Sequence, residues 1–268
     1  MTSKPTYYPE SKMFHVAVNG IMGTRLDAVI LGVNEDDGSD ICKRCLQQIN
    51  EIEQECSKFI STSCTTLVNR AEPLSMVPVS DLYADMLRLA YHYRKLTHGT
   101  FDITLGQGSE ISFTEDEQLI IPSTGLNIDF GGMAKGYALE RVMDTIKTAG
   151  ITDAFVNFGG SSIAAIGSHP AGDGWQVAIG DPYTGRNLHT VTLRDNSLST
   201  SGNTPHYNGH IVNPFTGRAV TGNRLSAVVA TSACNAEVLS TSWLVADKEQ
   251  RATILKNFND VTEEFVYN

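Results

Sequence analysis

No apolar run in this 268-residue sequence approaches the roughly 20 residues of a membrane-spanning helix. The opening segment Met1-Thr2-Ser3-Lys4-Pro5-Thr6-Tyr7-Tyr8-Pro9 has neither the apolar centre of a signal sequence nor a lipid-attachment cysteine, so the expected location is cytoplasmic. Basic residues are in the minority, 20 Lys and Arg against 30 Asp and Glu, and the formal charge of −10 argues against nucleic acid or an acidic membrane as main partner. A phosphate-bearing ligand would have to be held locally, by a metal ion or by oriented N–H groups. Cysteine is sparse, and its five copies cannot all pair. Cys42-x-x-Cys45 has no matching second pair. Cys42, Cys45, Ile49, Ile52 and Cys56 instead recur at helical spacing, the pattern of thiols on a core face in a reducing compartment. Repeats, low-complexity tracts, linkers and a Gly-x-Gly-x-x-Gly dinucleotide fingerprint are all missing.

What is present reads as mixed helix and strand. Residues 13–33 alternate around Gly20 and Gly23, predicting a β-hairpin. Helices are expected from about Ser39 to Phe59, from Ser80-Asp81 to a stop at Gly99, and from the turn after Asp129 to Gly150. Short strands follow at 154–158, 161–166, 175–180, 188–193 and 225–231, then two helices near 235–257 and a closing strand at 264–267. Without a regular βαβ rhythm, the expected fold is α+β, one domain over residues 1–268.

Chemistry concentrates in a few segments. In Asn127-Ile128-Asp129-Phe130-Gly131-Gly132-Met133-Ala134-Lys135-Gly136-Tyr137-Ala138 an acid ends a strand, two glycines turn the chain and a helix opens. Helix starts present unsatisfied N–H groups that suit phosphate, and Lys135 adds a cation. Met22-Gly23-Thr24 and Asn157-Phe158-Gly159-Gly160 are glycine turns that allow close backbone approach, or are ordinary turns. Asp102 in Gly99-Thr100-Phe101-Asp102-Ile103-Thr104 could contact a ligand, or shape its own loop. His210, heading His210-Ile211-Val212-Asn213-Pro214-Phe215-Thr216-Gly217, is the side chain best suited to move a proton near neutral pH, though it could be structural. Glu237 and Thr241, four apart, place a carboxylate and a hydroxyl on one helical face, two oxygens that a hard cation could use.

Taken in order from residue 22 to about 245, these blocks resemble the ApbE-type FAD:protein FMN transferases. The resemblance implies a single domain of mixed sheets and helices around a central FAD cleft. It implies that Mg²⁺, or Mn²⁺, bridges the FAD pyrophosphate. A serine or threonine hydroxyl of a separate acceptor flavoprotein would then attack the FMN-side phosphorus and release AMP. Carried over by position, Ala134 (through its carbonyl), Glu237 and Thr241 hold the metal, and His210 is the base. Met22, Gly23, Asp102, Asp129, Lys135, Gly159, Gly160 and Thr216 lie at the nucleotide. Asn69, after Ser57, Ser61 and Ser63, matches the family's flavin-facing region more loosely.

Three departures stand out. Glu237 replaces the family's usual metal aspartate, so its helix must sit slightly back or metal affinity falls. Ser161 stands where an acid is frequent, and the segment from Ser201 to Gly209 is short. No segment of this chain looks like an acceptor site, hence the separate partner. Two alternatives remain: an FAD pyrophosphatase that uses water as acceptor, and an FAD-binding protein without turnover.

Overall fold

The structure, a computed structural model, describes residues 5–107, 111–205 and 209–267. Three residues of the short Ser201–Gly209 segment, 206–208, and the first four of the chain lie outside that range. An eight-stranded sheet forms the centre. Its strands are β1 (Thr6–Tyr8), β2 (Met13–Ile21), β3 (Thr24–Leu31), β4 (Ala154–Phe158), β5 (Ser162–Ile166), β6 (Ser197–Gly202), β7 (Leu225–Ala230) and β8 (Val261–Tyr267). Their order across the sheet is their order along the chain, and every neighbouring pair is antiparallel. Helices occupy connections rather than alternate with parallel strands, which is the expected α+β class.

The connection from β3 to β4 carries α1 (Glu35–Cys56), α2 (Cys64–Arg70), α3 (Asp81–Leu96) and α4 (Ala134–Thr148). The one from β7 to β8 carries α5 (Ala233–Trp243) and α6 (Lys248–Ile254). The β2–β3 hairpin is as expected. Its turn is Met22-Gly23, both at positive φ, the conformation that matches the twist of a hairpin. Gly20 is a bulge, since the register slips between Asn19 and Ile21.

α1 begins four residues before Ser39, because the Asn34 side chain accepts from Asp37 N at 2.8 Å and caps it. The extra turn includes Gly38, where a Cβ would fall 2.6 Å from the Phe14 ring. α1 stops at Cys56, and Ile41, Cys42, Cys45, Ile49, Ile52 and Cys56 form its buried face. α2 and β6 were not expected. Ser63 caps α2 by accepting from Thr66 N at 3.0 Å.

Two apolar layers cover the sheet. On one face Val16, Leu26, Ala28, Val156, Phe158 and Val228 pack with the helices into one cluster. On the other, Ile163, Leu198, Ala227 and Val229 pack against a hairpin of Trp175–Gly180 and Asn187–Leu193. With both faces covered, every residue of β7 is buried, and burial of that much apolar surface dominates stability.

Candidate active site at one end of the sheet

The sheet register brings two glycine turns side by side. Leu26 of β3 pairs with Phe158 of β4, and Gly159 N donates to the Arg25 carbonyl at 2.7 Å. A Cβ on Gly159 would lie 2.8 Å from Thr24 Oγ1, so glycine is what lets the Met22-Gly23 and Gly159-Gly160 turns close together. Asn157 Oδ1 accepts from Gly160 N at 2.8 Å, which fixes the second turn. Gly23, Gly159 and Gly160 are exposed, leaving bare backbone at the sheet end.

The head of α4 lies across this end. Asp129 N donates to Ile103 O at 2.8 Å, tying the Asp129 turn to the loop after α3. Asp129 Oδ1 accepts from Gly131 N at 2.8 Å, and Oδ2 accepts from Lys58 Nζ at 2.6 Å. Met133, before α4, gives it no side-chain cap, but the first N–H groups are largely taken: Ala134 N donates to Phe130 O at 2.9 Å and Gly136 N to a side chain of α5. Gly136, in its first turn, allows contact with α5: a Cβ there would fall 2.6 Å from Ala233 O.

That contact delivers Glu237. Its carboxylate is 3% exposed as a residue, and Oε1 accepts from Lys135 Nζ at 2.6 Å while Oε2 accepts from Gly136 N. Ser162 Oγ reaches Oε1 at 3.4 Å. One turn further along α5, Thr241 Oγ1 is 3.3 Å from Ser201 Oγ, which is 2.8 Å from Ser240 Oγ. Ser240 Oγ donates to Glu237 O at 3.0 Å. The polar residues of β6 thus fix the face of α5 that carries Glu237 and Thr241. A Cβ on Gly132 would stand 3.3 Å from Thr241 Oγ1, so this glycine keeps the hydroxyl's surroundings clear.

The Glu237 carboxylate and the Thr241 hydroxyl, with the peptide carbonyl of Ala134 as the expected third donor, are hard oxygens of the kind Mg²⁺ takes. Among the described residues no group of three or more His, Cys, Asp or Glu could hold a metal ion, so a cation here would complete its shell with substrate oxygens and water.

His210 is exposed at the rim. Partial desolvation, and then the positive charge of Lys135, hold its ring below the usual histidine range; Asp129 opposes this and Lys58 adds to it. His210, Lys135, Asp129 and Lys58 therefore share one field. The turn that follows is fixed by Gly217 N donating to Asn213 O at 2.9 Å, and Thr216 lies exposed on it, accepting from Arg218 N at 3.4 Å. Phe215 touches the Gly99 position, so this block packs on the loop that carries Asp102.

Two expected nucleotide residues act on backbone and loop. Asp102, its side chain 3% exposed, accepts from Arg94 Nε at 3.1 Å and from Thr104 N and Oγ1 at 2.8 and 2.7 Å. Asn69 clamps Ile128, donating to its carbonyl at 2.9 Å and accepting from its N–H at 2.7 Å. Both position the Asp129 turn. Sequence reasoning passed over Lys58, Arg94 and the serines of β6. Arg94 carried a usable signal, a cation in the last turn of a helix just before a buried acid. Lys58 carried none, because its partner is 71 residues away.

The ApbE family model matches residues 22–123 and 107–265. The FAD:protein FMN transferase of Escherichia coli (strain K12) is 24% identical over 278 aligned positions, covering 88% of this chain and 79% of that protein. Among solved structures, the ApbE protein of Thermotoga maritima superposes with a TM-score of 0.78 at 22% identity, over 91% of this chain and 90% of that one. The flavin transferase ApbE from Vibrio cholerae gives 0.75 at 20% identity, over 96% and 97%. At such identities the structural likeness speaks for the fold.

Proposed function

The chain belongs to the ApbE family, and from that premise we propose that it is a Mg²⁺-dependent FAD:protein FMN transferase built as one ApbE-like unit. The observation that supports this most is the pair of lysine–carboxylate contacts, Lys58–Asp129 and Lys135–Glu237, at the uncapped head of α4 beside His210. That is a site where a pyrophosphate finds two cations and a base within one field.

In this reading FAD is the substrate. The glycine turns at Met22-Gly23 and Gly159-Gly160 admit the nucleotide against backbone, and Asp129 and Thr216 line its path. Lys135, at the head of α4, binds the pyrophosphate. Glu237, Thr241 and the Ala134 carbonyl would hold Mg²⁺, or Mn²⁺, which supplies charge neutralisation at the pyrophosphate. His210 is held below the usual histidine range, so it is neutral at pH 7 and can accept a proton. It takes that proton from a serine or threonine hydroxyl of an acceptor flavoprotein. The hydroxyl oxygen bonds to the FMN-side phosphorus, the bond to the bridging oxygen breaks, and AMP leaves with that oxygen.

A second reading has an observation of its own. Because His210 is exposed, water has access to the same base, which supports FAD pyrophosphatase activity when no acceptor is bound. The deciding experiment measures AMP release from FAD with Mg²⁺ or EDTA, with and without an FMN-accepting domain. Mg²⁺-dependent AMP together with covalent flavin on the acceptor is the expected result. AMP without covalent flavin supports the hydrolase. Bound FAD without AMP would overturn both and leave an FAD-binding protein.

A further inference from the structure

The Lys135–Glu237 contact has a consequence for how the cleft is loaded. Glu237 is the only carboxylate proposed for the metal, and both its oxygens are already used, Oε1 by the Lys135 ammonium at 2.6 Å and Oε2 by Gly136 N. Its side chain is 4% exposed and that of Lys135 23%, so water offers little alternative pairing for the carboxylate. Each oxygen keeps a further lone pair, but a divalent cation on this carboxylate would stand close to the ammonium, and the two positive charges repel in a buried setting. An aspartate at 237, one methylene shorter, would end farther from Lys135 and the head of α4.

We propose that Lys135 is a positioning residue that caps Glu237 in FAD-free protein and hands it to the metal only when a pyrophosphate arrives to take the ammonium. This inference rests on the flavin-transferase reading and deepens it. Metal and FAD then bind as a coupled pair. Each raises the other's affinity by the same factor, because linkage is reciprocal. A metal ion entering alone would have to displace the ammonium from a buried carboxylate with water, and no anion, to receive it.

The test is Mn²⁺ titration of FAD-free protein, with free Mn²⁺ read by electron paramagnetic resonance, repeated with FAD present. Flavin fluorescence reports FAD binding separately. Wild type is expected to bind Mn²⁺ about tenfold or more tightly with FAD than without, which is at least ~1.4 kcal/mol of coupling. Lys135→Met is expected to bind Mn²⁺ without FAD about tenfold more tightly than wild type, with most of the coupling lost. Lys135→Arg, which keeps the charge, is expected to stay close to wild type. Should Lys135→Met fail to fold, Glu237→Asp serves instead, since its shorter acid draws back from Lys135 and binds Mn²⁺ without FAD. Equal Mn²⁺ affinity in wild type with and without FAD, or no gain in these variants, would overturn the handover. Absence of FAD binding in all proteins would overturn the flavin reading instead, while a gain of Mn²⁺ affinity in Lys135→Met would still stand for the competition between lysine and metal.

Discussion

Gly106 lies against the carbonyl of Pro214, so close that any Cβ at this position would collide with it, and its φ of +91° is one that other residues rarely adopt. The contact fastens the loop carrying Asp102 to the turn that follows His210. Gly106→Ala must therefore move one segment off the other. It is expected to cost roughly 2–3 kcal/mol, overpacking and backbone strain acting together. Thermal unfolding measures the cost, and a melting temperature equal to wild type would mean that the two segments are not rigidly joined.

Asn69 is expected to act through Ile128. Replacing it by alanine leaves the Ile128 N–H and carbonyl without the partners they now have at 2.7 and 2.9 Å. The loss should be about 2 kcal/mol, somewhat more than one ordinary hydrogen bond. The Asp129 turn would loosen with it, weakening FAD binding. Asn69→Asp keeps an acceptor for the N–H but sets a charge against the carbonyl, so it should fall between alanine and wild type only in the first respect. Denaturant unfolding and flavin fluorescence separate the two effects; unchanged FAD affinity in a destabilised Asn69→Ala would confine Asn69 to folding.

These two cases mark what the sequence could reveal. The hairpin, α3, α4 and most strands were legible because local signals, alternation, caps and glycine stops, agree with the tertiary result. α1 was placed four residues late, since Glu35-Asp36-Asp37-Gly38 carries no apolar period and Gly38 is explained only by Phe14 lying beneath it. β6 was missed because Ser197-Leu198-Ser199-Thr200-Ser201-Gly202 looks like loop. Its first half, Ser197 to Ser199, is buried nonetheless, and Ser199 and Ser201 both bond Ser240 of α5. Polar strands are legible only once their partners are known. Within the candidate site, sequence alone does not distinguish Asp102 and Asn69, whose side chains bond the neighbouring backbone, from the residues beside them, because that pairing is a tertiary fact.

The thiols should be inert. Burial pushes Cys42 up to about 11, and Cys45 and Cys56 to about 12. Cys64 is pushed up to about 11 by burial and by its hydrogen bond to Glu55. Thiolate is the reactive form, so native protein at pH 8 should react slowly with Ellman's reagent and unfolded protein should release all five equivalents. Half-buried Cys64 should react first. The same shifts fix a stability trend. The unfolded chain loses thiol protons near the ordinary value of 9.0 while the folded chain keeps them, so stability falls as pH rises from there toward 11–12. Rapid native labelling at several sites would contradict the burial of this face.

His210 supplies the pH dependence of the proposed reaction. Its ring is held below the ordinary 6.5 by desolvation and by Lys135, with Lys58 adding to this and Asp129 opposing it. As the base it must be neutral, so kcat/KM should fall on the acid side, with a midpoint below 6.5, and stay level through neutrality. The neighbours give the sign tests. Lys58→Met removes a positive charge and leaves Asp129 unopposed, so the midpoint should move up. Asp129→Asn removes the one charge that favours the imidazolium and leaves Lys58 unpaired, so the midpoint should move down. Both shifts concern the position of the limb, which a change in FAD affinity alone does not move if substrate is kept well below KM. His210→Ala should abolish the limb, slow transfer and leave FAD binding intact. A limb that stays in place through both neighbour variants would remove His210 from the role of base, and lost FAD binding in His210→Ala would make its role structural.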